Sequence, residues 1–328
     1  MAHAVESMFS VRKIPWHKLG VILDNPPTIE EAINAAGLGW DVACRRMQYE
    51  AINGSMQDAE SRAVVRLDTG AKLGEVGCNW TPLQNSKAFA FFQPFLDAKA
   101  ATLECAGSLF DGAKVFVLAK IGGTDEIVKG DAIERYILLS NAHDGTASLR
   151  VGFTPIRVVC ANTLAMAVRN GTSQLLRLRH VGDVEEALER VGEAMDVANS
   201  RFEATAEQYR ALAKVACNKK QLKDLVQVVF RPAIPEATGS MPDVTQPIPA
   251  ERESWLLKQI EPLFDAGAGT EIAGVRGTLW GAYNAITEYL AHERGNSDER
   301  RLANLWFGQA ASMSQKALQT VVDMARTA

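Results

Sequence analysis

The stretch LECAGSLFDGAKVFVLAKI, residues 103–121, decides the fold class. Two apolar runs with strand character flank Asp111-Gly112, a pair typical of tight hairpin turns because both residues tolerate a positive φ angle. Asp144-Gly145 supplies the same turn chemistry further along the chain. The pattern predicts antiparallel strands at about 103–109, 113–121, 132–141 and 148–154.

A helix and a smaller set of strands are predicted upstream. Thr28 can cap a helix at about 28–36, with Glu31 completing a capping box and Gly37 ending the helix. A three-stranded meander is expected next, at about 40–50, 61–68 and 72–79. Asn85 is then expected to cap a helix that packs across those strands through Phe89, Phe92, Phe95 and Leu96.

A heptad pattern begins beyond residue 180 and predicts one long helix. Its apolar stripe, weakened by one hydroxyl, comprises Val184, Leu188, Val191, Met195, Ala198, Phe202, Thr205, Tyr209 and Leu212. The stripe fits two arrangements: the helix packs on the body of its own chain, or it forms a coil with another copy.

The predicted fold class is α+β, with a mainly antiparallel sheet and crossing helices first and a helical region at the C-terminal end. A proline-rich stretch that is unsuited to a helix or a central strand interrupts the second half. The expected organisation is a core domain at 1–180, a long and a short helix at 181–230, a linker or loop at 231–250, and a helical region at 251–328.

The composition excludes several classes of protein. Five cysteines lie far apart with no CxxC pair, so neither a disulfide framework nor a zinc site is expected. No run approaches the roughly 20 apolar residues of a membrane span, and the N-terminal residues lack a secretion signal pattern. The expected location is therefore the cytoplasm, with no membrane contact.

A polar cluster, SNAHDGT at 140–146, follows an apolar strand. Asn141, His143 and Asp144 are candidate catalytic residues, because an imidazole and a carboxylate can exchange protons or hold a metal ion. The same residues are also good hairpin chemistry. A metal ion would need further ligands such as Glu288 and His292, so neither a metal nor another cofactor is predicted.

An arginine cluster lies in residues 140–182, which hold no lysine and only one acidic residue, Asp144. Its members are Arg150, Arg157, Arg169, Arg177 and Arg179. The planar guanidinium forms paired hydrogen bonds with phosphate and stacks on bases, so the cluster indicates nucleic-acid binding. Alternatively, the arginines pair with the acidic helix that follows.

Several motifs resemble those of an uncharacterised phage/plasmid-like protein family. They are PWHKLG at 15–20, WTPLQNSKAFAFF at 80–92, SNAHDGT at 140–146, FTPIRVVCANTL at 153–164 and GTLWGAYNAITEYLAH at 277–292. The resemblance implies a phage, prophage or plasmid origin and a bacterial host cytoplasm. The predicted topology also looks like that of ring-forming single-strand annealing proteins, which implies homo-oligomers with the arginine cluster lining a DNA groove.

Three functions follow as hypotheses. Because the common catalytic motifs GxxxxGK[ST], HExxH and GxSxG are missing, the first is a non-enzymatic protein that binds or anneals single-stranded DNA in recombination. The second is a protein-interaction factor for host takeover or anti-defence, using the heptad and C-terminal helices. The third is an enzyme at Asn141, His143, Asp144 and Arg157, with a contribution from Cys160 or Asn162.

Overall fold

Two sheets organise the chain in the computed structural model. It describes residues 5–12, 20–157, 159, 176–194, 199–231, 247–295, 297, 300–301, 304–305 and 308–328. The strands of the described part are β1 Val5–Val11, β2 Val21–Leu23, β3 Val42–Glu50, β4 Met56–Arg66, β5 Lys72–Gly77, β6 Ala101–Leu109, β7 Lys114–Val128, β8 Asp131–Ala142, β9 Leu149–Arg157 and β10 Leu176–Leu178.

The helices of the described part lie between and after the strands. They are α1 Ile29–Ala35, α2 Asn85–Ala90, α3 Gln93–Asp97, α4 Val184–Ala194, α5 Asn199–Leu212, α6 Lys219–Val229, α7 Ala250–Ala266, α8 Leu279–Glu288, which continues as a π-helical turn over Tyr289–Glu293, and α9 Gln309–Thr327. No helix in these ranges is both long enough and apolar enough to cross a membrane.

The larger sheet has the strand order β10-β9-β8-β7-β6-β1-β2 and is antiparallel except for the β1–β2 pair. Its four central strands are those predicted from the stretch 103–154, and the α+β class is confirmed. The β6–β7 turn has positive φ angles at Asp111 and Gly112, as the turn chemistry requires. The outer strands β1, β2 and β10 were missed by the sequence patterns.

Both faces of the larger sheet are covered, because successive side chains of a strand point to opposite faces. On one face, Phe116, Leu118 and Leu138 pack in one core with side chains of α5–α9. On the other face, Val115 and Val117 pack in a second core with side chains of α1, α2, α4 and the smaller sheet. Burial on both faces explains why these strands are continuous apolar runs.

The predicted three-stranded meander is confirmed as the smaller sheet, β3-β4-β5. The capping box of α1 is also confirmed: Thr28 Oγ1 accepts from the Glu31 N–H, and the Glu31 carboxylate accepts from the Thr28 N–H at 2.8 Å. These features are local in sequence, which makes them predictable.

The predicted cap at Asn85 is wrong. Gln84 occupies the N-cap position of α2, while its side chain bonds both backbone groups of Val42 at 2.9 Å. Asn85 lies inside the helix and turns inward, donating to the carbonyls of Leu38 and Trp40 at 3.3 and 3.1 Å. The buried carbonyls therefore decide the orientation of this amide.

The described members of the heptad stripe pack on their own chain. Val184 and Leu188 of α4 lie with Phe202 in the second core, and Tyr209 and Leu212 of α5 lie in the first. Residues 195–198, between α4 and α5, lie outside the described residues. The same holds for most of the proline-rich stretch, 232–246, and for half of the helix expected at 297–307.

Candidate nucleic-acid interface

Three polar side chains form a row across β8, β9 and β10. Ser140 pairs with Arg150, and Arg150 pairs with Arg177, in the antiparallel register of these strands. Directly opposite residues share a face, with Cβ atoms about 4.5–5.5 Å apart. The donor row (Ser140, Arg150 and Arg177) therefore runs from the interior of the sheet to its edge.

The inner part of the donor row lacks acceptors. Ser140 is 1% exposed, and neither its Oγ nor Arg150 Nε has a hydrogen-bond partner within the described ranges. Burial, together with the positive charge of Arg177, lowers the pKa of the Arg150 guanidinium. Buried polar groups are nearly always hydrogen-bonded, so these two groups have hydrogen-bonding capacity that the described residues do not use.

The outer part of the row is open to solvent. Arg177 is exposed at the sheet edge, and Arg179, two residues further, is also exposed. Both guanidinium groups are therefore accessible to solvent at or just past this edge. With Arg150, they have no carboxylate partner in the part of the chain that the structure describes.

The acidic side chains at the start of α4, as far as the structure describes them, bond to other residues. Glu185 pairs with Lys87 at 2.9 Å, and Glu186 pairs with Arg190 at 3.4 Å. Asp183 uses its side chain to accept from the Glu186 N–H at 2.9 Å. Glu185, Glu186 and Asp183 therefore bond to residues outside the arginine cluster, whereas the balance of charges had suggested that they pair with it.

Arg157 does not share this surface. It is completely buried and forms a two-pronged ion pair with Asp131, while Nη1 donates to the Ala268 carbonyl at 2.9 Å. Trp280 Nε1 completes the contact by donating to Asp131 at 2.8 Å. Arg157 thus joins β9 to the C-terminal helices. Arg169 lies outside the described residues.

The Asp144 side chain makes the turn between β8 and β9. Its Oδ1 accepts from the Thr146 N–H at 3.0 Å and from the Thr146 hydroxyl at 2.6 Å, while Gly145 takes a φ of +74°. This is the local bonding by which aspartate favours turns. The hairpin interpretation of SNAHDGT is confirmed for this residue.

Asn141 and His143 are buried, and both contact the segment that contains Leu83 and Asn85. Asn141 Nδ2 donates to the Leu83 carbonyl at 3.2 Å, and His143 Nε2 lies 3.0 Å from Asn85 Oδ1. Burial, helped slightly by the charge of His180, lowers the pKa of His143 to about 3. The imidazole is therefore neutral near pH 7 and is 0% exposed.

His180 contacts the beginning of the same segment. Its Nδ1 lies 3.0 Å from the Thr81 carbonyl oxygen, and its ring stacks on Trp80 with centroids 4.7 Å apart. Burial lowers the pKa of His180 as well. The clasp (Asn141, His143 and His180) holds residues 81–85 against the larger sheet. Sequence reasoning missed His180 because its partner lies 99 residues away.

The structure does not bring the proposed catalytic residues together. His143 contacts Asn85 and Trp40, whereas Arg157 contacts the C-terminal helices. Cys160 and Asn162 lie outside the described residues. Glu288 accepts from the Ala268 N–H at 3.2 Å. Within the described ranges, no group of three His, Cys, Asp or Glu side chains could hold a metal ion.

Sequence reasoning also missed Ser140, the innermost member of the donor row. The only signal was its position, a hydroxyl directly after the apolar run Tyr136-Ile137-Leu138-Leu139. A register between strands cannot be read from one sequence, so the alignment of Ser140 with Arg150 and Arg177 emerges only from the sheet.

Comparison with known proteins gives one match. The family described as a domain of unknown function (DUF932) matches residues 72–318, a range that begins at β5, ends within α9 and contains the whole donor row. No curated protein and no solved structure matches the chain.

Proposed function

The chain belongs to the DUF932 family, a domain family of unknown function, and we propose that it binds the phosphate backbone of single-stranded DNA. One observation carries the proposal. The donor row ends at exposed Arg177, and neither Arg150 nor Arg177 has a carboxylate partner in the described part. Guanidinium groups without counter-charges favour phosphate oxygens as acceptors.

The chemistry of the row favours binding without base reading. Phosphate contacts fix the position of a strand but carry no sequence information. They suit a protein that holds single strands in extended form for pairing, as an annealing protein would in recombination. Repeated contacts along one strand also favour several copies of the chain on the same DNA molecule, as in a homo-oligomer.

The cellular setting is part of the same proposal. The motifs near 15–20, 80–92, 140–146, 153–164 and 277–292 resemble those of proteins from phages, prophages and plasmids. Such elements replicate and recombine in the bacterial cytoplasm. A non-enzymatic protein of phage or plasmid DNA metabolism, without a cofactor, is consistent with this resemblance.

The test is fluorescence anisotropy of a labelled single strand and of its duplex, across a salt series. The variant Arg177→Ala with Arg179→Ala is compared with Arg190→Ala, which removes an exposed arginine that already pairs with Glu186. The double variant is expected to bind more weakly. In a plot of log affinity against log salt concentration, its slope should become less steep by about 0.7 for each lost phosphate contact. Arg190→Ala should bind like the wild type.

Two results would overturn the proposal. One is unchanged migration and anisotropy of single-stranded DNA at low salt with excess protein. The other is equal affinity of the double variant and the Arg190→Ala control. Light scattering on the same samples reports whether assembly accompanies binding.

A second candidate function, a protein-interaction factor for host takeover or anti-defence, is favoured by the β3–β4 hairpin. Its tip exposes three apolar side chains, with Ile52 fully exposed and Tyr49 and Met56 more than half exposed. Exposed apolar clusters mark interaction sites. Quantitative mass spectrometry of proteins co-purified from the bacterial host with wild type and with Ile52→Ser tests it: a protein enriched by both equally would contradict the role of this tip.

A further inference from the structure

A tryptophan stands out on the surface of the C-terminal helices. Trp255 of α7 is 54% exposed, and its ring meets the buried Tyr289 ring edge-on, with centroids 6.5 Å apart and planes inclined at 76°. The inner edge is thus fixed by packing while the rest of the side chain faces solvent. Tryptophan is the largest side chain, and leaving half of it in water forgoes a large hydrophobic gain.

Two arginines lie close to this aromatic pair. Arg252 is one helical turn before Trp255, which puts both side chains on the same side of α7. Arg294 directly follows the π-helical turn that carries Tyr289. Burial raises the pKa of the Tyr289 hydroxyl, the charges of Arg294 and Arg252 lower it, and the charge of Glu293 raises it.

Arg294 is half-buried yet bonds only neutral acceptors. Its Nη1 lies 2.7 Å from Met313 Sδ, and its Nη2 lies 3.4 Å from Gln309 Oε1. Burial and the nearby charge of Arg252 lower its pKa. A guanidinium has five N–H donors, and this one contacts only a thioether and an amide within the described residues. Its remaining N–H groups can donate to an anion.

A second like-charge pair lies near the first. Lys316 of α9 is one turn beyond Met313, and burial and the charge of Arg231 lower its pKa. Phe230, which precedes Arg231, packs edge-on against Tyr289 with centroids 5.7 Å apart. Lys316 therefore adds a positive charge one helical turn from Met313, which Arg294 contacts.

Two carboxylates lie next to these arginines in the chain. Glu251 precedes Arg252, and Glu293 precedes Arg294, and both side chains are exposed. In the part of the chain that the structure describes, neither forms an ion pair with the two arginines or with Lys316. An exposed aromatic face beside guanidinium groups that form no ion pair within the described residues is a combination that single-strand binders use.

We propose that Trp255, with Arg252 and Arg294, forms a base-stacking site for single-stranded nucleic acid. An unpaired base lies on the exposed indole, and the arginines hold the phosphates on either side of it. The inference rests on the proposed function, since both require a single strand, but it adds a site that recognises the base and not only the backbone. A duplex, whose bases already stack on one another, cannot use it.

The experiment separates stacking from charge. Anisotropy is measured with three probes of about 20 units, a length that covers at least one binding site: oligothymidine, an abasic strand of the same length, and a duplex. The variants are Trp255→Leu, Trp255→Phe, and Arg252→Ala with Arg294→Ala. Tyr49→Leu removes an equally exposed aromatic ring from the β3–β4 hairpin and is the matched control.

Trp255→Leu is expected to weaken oligothymidine binding about 10-fold and to leave abasic binding unchanged, because only the base is lost from the contact. Trp255→Phe keeps an aromatic face and should retain most of the affinity. The double arginine variant should weaken both single strands. Tyr49→Leu should match the wild type, and circular dichroism verifies that each variant is folded.

The results distinguish this site from the donor row. If wild type binds and the Arg177→Ala with Arg179→Ala variant binds weakly, but Trp255→Leu binds oligothymidine as wild type does, this inference is overturned and the proposed function stands. If wild type binds no probe at low salt, both fail. Equal losses of oligothymidine and abasic binding in Trp255→Leu would also overturn stacking.

Discussion

Arg157 and Asp131 form a two-pronged ion pair, with Nε 2.8 Å from Oδ1 and Nη2 2.8 Å from Oδ2, and both side chains are 0% exposed. The pair sits where β8 and β9 meet the C-terminal helices, because Trp280 Nε1 donates to Asp131 and Arg157 Nη1 donates to the Ala268 carbonyl. Each of the two buried charges is therefore balanced by the other.

The first prediction concerns this pair. Arg157→Ala should lower the free energy of unfolding by about 3–5 kcal/mol, because it leaves the Asp131 carboxylate buried without a counter-charge. Urea denaturation measures the change. Arg135→Ala is the control, since its pair with Asp125 is slightly exposed and should cost less. A loss from Arg157→Ala no larger than that from Arg135→Ala would contradict the expectation.

The second prediction concerns the loss of stability at acidic pH. Because burial lowers the pKa of His143 to about 3, the unfolded chain takes up a proton below pH 6.5 that the folded chain refuses. Stability should therefore fall as the pH drops from 6.5 toward 3, by up to about 1.4 kcal/mol per pH unit from this residue. His143→Gln should flatten the slope, leaving the part due to His180, whose pKa is lowered in the same direction.

The measurement for His143 is the difference in unfolding free energy between pH 7 and pH 5, for wild type and His143→Gln. The slope is the readout, so an overall loss of stability in the variant does not obscure it. Equal slopes in the two proteins would show that His143 can be protonated in the folded chain.

The third prediction tests the contact between the two sheets. A Cβ at Gly74 of β5 would lie 2.4 Å from the Asp144 carbonyl oxygen and 2.5 Å from its Cα, both backbone atoms that cannot swing away. Gly74→Ala should therefore cost about 1–3 kcal/mol. Gly77→Ala, in the same strand, meets nothing within 4 Å and is the matched control. Similar thermal midpoints for both variants would argue against a close contact there.

The fourth prediction concerns Asn85. Its buried amide donates through Nδ2 to the carbonyls of Leu38 and Trp40, and its Oδ1 accepts from His143 Nε2, so Asn85→Ala leaves buried polar groups without partners. Such a loss should cost about 2–3 kcal/mol. Gln93→Ala removes an exposed amide bonded to Asp97 and should change stability by less than about 0.5 kcal/mol. Chemical denaturation compares the two.

Local patterns predicted the elements whose causes are local. The Thr28 capping box and the Asp111-Gly112 turn depend on residues within three positions of each other, and both occur as expected. Asn85 misled the prediction for the opposite reason. Its partners are carbonyls 45 and 47 residues upstream, and they bind the amide more favourably than a helix end does.

The arginine cluster shows the same limit, because the sequence does not reveal which of its arginines have a carboxylate partner. Arg157 and Arg177 look alike in the sequence, yet one is buried against Asp131, 26 residues upstream, and the other is exposed at the sheet edge. Strand β1 was missed for a similar reason. Its main partner β6 lies about a hundred residues later, and no tight turn connects the two strands. Pairings over long sequence separations cannot be read from periodicity.

Residues 80 and 81 pair with the backbone that follows β10, the strand at one edge of the larger sheet. The Thr81 N–H donates to the His180 carbonyl at 2.9 Å, and Trp80 bridges Val181, so the chain leaving β10 has its backbone groups occupied by the same molecule. An open strand edge invites another chain to extend the sheet, and a protein crowded along a polymer meets its own copies at high local concentration. Here the backbone just past the strand that carries Arg177 is paired within the chain, which shortens the edge that another copy could extend.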